Sequence, residues 1–136
     1  MRDLVLYAHL ILGFALIVLS IVILLESKKK SSWLKPLSAI TAGISWLHMI
    51  PSASLYITFY PATKSLIKAG AWPWAHLIFM ETKEHWSLLV PIIATLAAWL
   101  VFRGKIEESK RWWILVIALT VLVGVMGRVV TLGAFI

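Results

Sequence analysis

Four apolar stretches constrain this chain more than any other feature: Leu4–Leu25, Leu37–Tyr60, His85–Phe102 and Trp112–Phe135. Each approaches or exceeds the ~20 helical residues needed to cross about 30 Å of hydrocarbon. In lipid a segment must satisfy its own backbone amides, so such spans are helical. Apolar residues make up 61% and charged residues 14% of the 136 residues. Soluble domains run at about 45–50% and 25%, and a globule this small cannot hide the excess from water. The expectation is therefore a single all-α domain over residues 1–136, a polytopic four-helix transmembrane bundle. The first stretch exceeds a signal-peptide core and runs into Glu26-Ser27-Lys28-Lys29-Lys30, so it is read as a span.

The connections set the expected topology. Lys28, Lys29, Lys30 and Lys35 flank the first loop, and Arg103, Lys105, Lys110 and Arg111 the third. Lys and Arg gather on the cytoplasmic side, which predicts both termini outside. Short first and third loops then give an up-down-up-down order. Trp33, Trp112 and Trp113 mark the inner interface, and Trp72, Trp74 and Trp86 the outer one. The net charge of +7 is accounted for by these loops, and no nucleic-acid partner is expected. The absence of cysteine excludes disulfides, thiolate metal sites and c-type haem attachment. There is no Gly-rich phosphate loop. The long outer loop, Pro61–Glu84, holds Trp72-Pro73-Trp74-Ala75-His76 and predicts an interfacial helix or an outward extension of helix 3.

Polar and small residues in a span turn inward, because an unpaired polar group is costly in hydrocarbon. On helix 2, Ser38, Thr41, Ser45, His48 and Ser52 share one stripe. Helix 1 offers His9, Gly13, Leu16 and Ser20; helix 3 offers His85, Leu88, Ile92 and Thr95. Helix 4 offers Thr120, Gly124, Gly127, Arg128 and Thr131. The Gly, Ser and Thr positions also suit plain close packing. Ionisable groups within spans mark functional sites by default. His9, His48 and Arg128 lie roughly 9, 15 and 10 Å below the outer helix ends at 1.5 Å per residue, and His85 sits at the outer lip. One such group on each helix in the outer half is the main functional signal.

Imidazole suits haem iron, copper and zinc. A haem b between His9 and His85 is expected, with His48 as the next axial candidate. Arg128 is expected to pair with a propionate, Lys83 or Arg2 to do so nearer the surface. The alternative is a His and carboxylate site of Glu81, His85, His9 and His48 for non-haem iron, copper, zinc or manganese. His76 and His85, nine residues apart, face opposite sides of a continuous helix and do not suit one metal. A proton seam through His48, Ser45, Ser52 and Tyr56 is a third reading.

His9 with Gly13, and His85-Trp86 opening helix 3, resemble the small four-helix membrane cytochromes b. Trp46-Leu47-His48 running to Phe59-Tyr60-Pro61 is similar to His-containing spans of the copper-resistance membrane family. The resemblance implies electron transfer through b-type haem, with a quinol or a respiratory complex as partner, as a quinol or superoxide oxidoreductase. Because no histidine lies in the inner half, a single haem near the outer face is expected. The remaining alternatives are a metal-dependent enzyme acting on a lipid-like substrate, a homo-oligomer, or a cofactor-free accessory subunit. The expected location is the plasma (inner) membrane of a prokaryote.

Overall fold

A computed structural model describes all 136 residues and is entirely helical. Helix α1 spans Arg2–Lys29 and ends at Lys30, whose left-handed backbone (φ 50°) lets the amides of Lys30 and Ser31 close on Ser27 and Glu26 carbonyls. Helix α2, Leu34–Ser54, passes into a π-helical turn, Leu55–Phe59, and then α3, Tyr60–Ala69. A second π-helical turn, Ala75–Met80, leads into α4, Glu81–Ser87, and α5, Leu89–Phe102. The break at Leu88 has a local cause, since Pro91 has no amide to give the Ser87 carbonyl. After a turn at Gly104 (φ 74°), α6 runs over Ile106–Gly133.

These pieces make four rods. The second rod continues past Tyr60 to Ala69, and the third begins at Ala75. The expected long loop Pro61–Glu84 is thus mostly helix, with only Gly70–Trp74 left as a turn. The part from Ala75 onward continues directly into the third rod, and the part up to Ala69 continues the second. Helix α1 packs on α2 and α6, and α5 does the same from the opposite corner, which makes α1 and α5 diagonal. A lateral bond from Trp46 Nε1 to Thr95 Oγ1 (2.9 Å) ties α2 to α5.

Only 29 of the 136 residues are buried, and large apolar side chains such as Ile11, Phe14 and Ile57 are exposed along the rods. Three rods, Arg2–Lys29, Ala75–Phe102 and Ile106–Gly133, are long and apolar enough to cross a membrane. The second rod falls outside that group because it carries the Ser, Thr and His stripe. One core lies toward the basic turns, around Leu16, Ile23, Ala94, Ala97, Trp113 and Val116. A smaller one, Tyr60, Ile67, Ala75, Met80 and Val130, lies at the other end.

Two of the four expected inward faces are correct. Leu16 and Ser20 on α1, and Ser38, Thr41 and Ser45 on α2, are buried. On the third rod, His85, Leu88, Ile92 and Thr95 are instead exposed, and Val90, Pro91, Ala94, Ala97 and Val101 face the bundle. On α6, Gly124, Arg128 and Thr131 are exposed, while Val116, Val123, Met126 and Val130 are buried. Thr95, Thr120 and Thr131 bond the carbonyls of Pro91, Val116 and Gly127 one turn back, as Thr41 does on the buried face of α2, so a threonine hydroxyl satisfied this way fits either face.

Candidate functional site

The antiparallel register of α1 and α2 sets His9 against Ser52 and Gly13 against His48. The two imidazoles stack with centroids 4.5 Å apart and planes 20° from parallel. A hydroxyl has one proton to give, and Ser52 Oγ donates it to the His48 carbonyl at 2.7 Å. The 2.9 Å contact between His9 Nδ1 and Ser52 Oγ is therefore a bond donated by His9. In the neutral ring this puts the proton on Nδ1 and leaves Nε2 with a free lone pair. His48 Nε2 is buried and has no hydrogen-bond partner. It is 3.5 Å from where a Gly13 Cβ would stand, so glycine there leaves room for the ring.

Lys83 brings a positive charge toward both rings from the third rod. Its stem crosses Gly127 of α6, with Cε 3.2 Å from where a Cβ would be. Further along α2, toward the basic turns, the polar stripe continues through Ser45, Thr41 and Ser38. Ser45 and Thr41 bond carbonyls of their own helix, whereas the buried hydroxyls of Ser38 and, across on α1, Ser20 have no partner.

A second polar cluster occupies the opposite core. Tyr60 Oη lies 2.8 Å from His76 Nδ1, and His76 Nε2 lies 3.6 Å from Glu81 Oε1. Both Tyr60 and His76 are buried, whereas Glu81 is half exposed. Sequence reasoning considered His76 only as a metal ligand and missed this pairing. Its signal was two aromatic-polar residues flanking the Gly70-to-Trp74 turn, which becomes legible once both flanks are known to be helical.

The remaining expected site residues fall elsewhere. His85 is exposed on α4 and donates Nδ1–H to the Glu81 carbonyl at 2.7 Å, leaving its Nε2 free. Arg128 is exposed on α6. The Glu81 carboxylate turns to His76 rather than toward His85, and no three metal-ligating side chains come together. His9 and His85 are not brought together: the His9 ring lies flat on His48, and α4, which carries His85, makes no contact with α1. Compared with known proteins, the chain matches no family model, no curated protein and no solved structure.

Proposed function

We propose that this chain is a four-span integral membrane protein whose His9–Ser52–His48 centre accepts and passes a proton. Both termini and the segment 61–84 lie on the outer side, and the basic turns lie inside. The plasma membrane of a prokaryote suits this topology. One observation carries the reading: two stacked, half-buried imidazoles between apolar helices, one with its tautomer set by Ser52 and the other with a buried Nε2 that has no close partner. Imidazole exchanges protons near neutral pH more readily than any other side chain. Ionisable groups at such depth belong to ion or proton pathways by default.

In this mechanism His9 Nε2 takes the proton while Ser52 holds Nδ1–H in place, so the ring keeps its orientation as its charge changes. His48, stacked against it, is the next group that exchanges a proton, through water rather than ring to ring because stacked rings keep their nitrogens in parallel planes. Ser45, Thr41, Ser38 and Ser20 line the continuation toward the basic turns.

The test is proton movement into vesicles carrying the purified protein and an internal pH-sensitive dye, driven by a potassium diffusion potential. Wild type is expected to exceed protein-free vesicles, and His9→Phe and His48→Phe to fall to the protein-free level. Wild-type flux no greater than that of empty vesicles ends this reading.

A second reading keeps the b-type haem of an electron-transfer protein serving a quinol or respiratory partner. It is favoured by His85, whose Nδ1–H rests on a backbone carbonyl as in many metal-ligating histidines and whose ring is exposed. His85 would hold the haem on the exposed flank of α4, where it would supply one-electron chemistry. An absorption spectrum, oxidised and dithionite-reduced, checks this. A Soret band lost in His85→Ala and kept in His9→Ala is expected. A protein that stays colourless after haem is supplied during expression removes the reading.

A further inference from the structure

The Tyr60–His76–Glu81 cluster stands apart from the helix 1–helix 2 centre and runs from the interior to the surface. Tyr60 begins α3, His76 lies in the second π-helical turn, and Glu81 opens α4. Each π-helical turn carries one extra residue, a device that recurs at functional sites. Here the turns bring three residues spread over 22 positions of the chain into one line.

The proton positions follow from the neighbours. With Nε2 3.6 Å from a carboxylate oxygen, His76 carries its proton there, since a lone pair would face negative charge. Nδ1 is then the acceptor, and the Tyr60 hydroxyl donates to it across 2.8 Å. All the hydrogens point from the interior toward Glu81.

We propose that Tyr60, His76 and Glu81 form a proton-exit relay from the bundle to the outer surface. This rests on the proton-handling reading above and gives it a terminus. Glu81 takes the proton from His76 Nε2 as that N–H bond breaks. His76 Nδ1 takes the Tyr60 hydroxyl proton in the same shift, so the imidazole stays neutral with its tautomer exchanged. Tyr60, which is buried, takes a proton from the interior side in the same shift, so no phenolate stands, and Glu81 then releases its proton to water. Net transfer is one proton outward; the ring resets by turning toward the outer water, where it loses the Nδ1 proton and takes one on Nε2, an exchange that moves no further proton across. Tyr56, stacked on Tyr60 with centroids 5.5 Å apart and one turn beyond Ser52, lies between this relay and the histidine pair. The other ionisable groups around His76 are Lys64 and Lys68 on α3 and Glu84 on α4. From α6 the residues that meet this core, Val129, Val130 and Gly133, carry no ionisable group.

Two variants test the relay in the same vesicles. Tyr60→Phe removes only the hydroxyl, and Glu81→Gln keeps an oxygen near His76 that cannot take and release a proton. Both are expected to lose outward proton flux while keeping wild-type helicity and elution. Nitrogen-15 NMR of histidine-labelled protein in nanodiscs is expected to find His76 protonated on Nε2, with its Nδ1 signal moved by Tyr60→Phe. Flux unchanged in either variant, with His48→Phe inactive, overturns the relay and leaves the histidine pair standing. A wild type that moves no protons overturns both. A His76 protonated on Nδ1 overturns the relay whatever the flux.

Discussion

Gly13→Leu is expected to unseat His48 and abolish proton movement, while Gly13→Ala is expected to leave both nearly intact. The distinction rests on one distance. A Cβ at position 13 would meet His48 Nε2 at 3.5 Å, ordinary van der Waals contact, so alanine fits without movement. The further carbons of leucine need the volume that the imidazole fills. Displacing the ring breaks its stack on His9 and pulls at the Ser52 bonds that set the His9 tautomer. Overpacking of this kind costs about 1–3 kcal/mol. Thermal unfolding in detergent and flux in vesicles should therefore fall together for leucine. Equal damage from alanine, or none from leucine, would mean that Gly13 does not shape the centre.

Gly133→Ala is expected to be the most damaging of the glycine-to-alanine changes. The added Cβ would stand 2.9 Å from the Ala75 Cβ, closer than carbon atoms approach. Neither partner has slack, since both are buried and neither carbon can rotate away. The end of α6 must therefore move off the second π-helical turn, at a cost of about 1–3 kcal/mol. Because His76 follows Ala75 directly, its bond to Tyr60 should loosen too. Ala75→Gly in the same chain removes the opposing carbon and is expected to restore most of the lost stability. A double-mutant cycle reads the coupling directly; additive effects of the two substitutions would count against this contact.

The two histidine centres differed in how far they could be read from the chain. His9 and His48 were both recognisable, because their helices carry continuous polar stripes whose period points them inward. Their mutual contact was not. The reading placed His9 with His85 across a diagonal, whereas the register of neighbouring helices set His9 on His48. The Ser52 hydroxyl bridge depends on that register alone. On the third and fourth rods the polar rule failed, and His85 and Arg128 went to the outside with it. A threonine can satisfy itself one turn back, and a long arginine can reach out along the surface, so polarity there carried little information about direction.

Composition and apolar length by themselves determined that this chain is all-helical, with rods suited to lipid, and marked α1 and α2 as the helices with polar inner faces. Those properties follow from hydrophobic balance and helical period, which are local. Tertiary structure alone decided that His9 meets His48, that Gly13 makes room for a ring, and that Tyr60 and His76 are joined behind Glu81. Those pairings follow from packing register and from π-helical turns, where a shift of one residue turns a side chain by about 100° on a helix of 3.6 residues per turn.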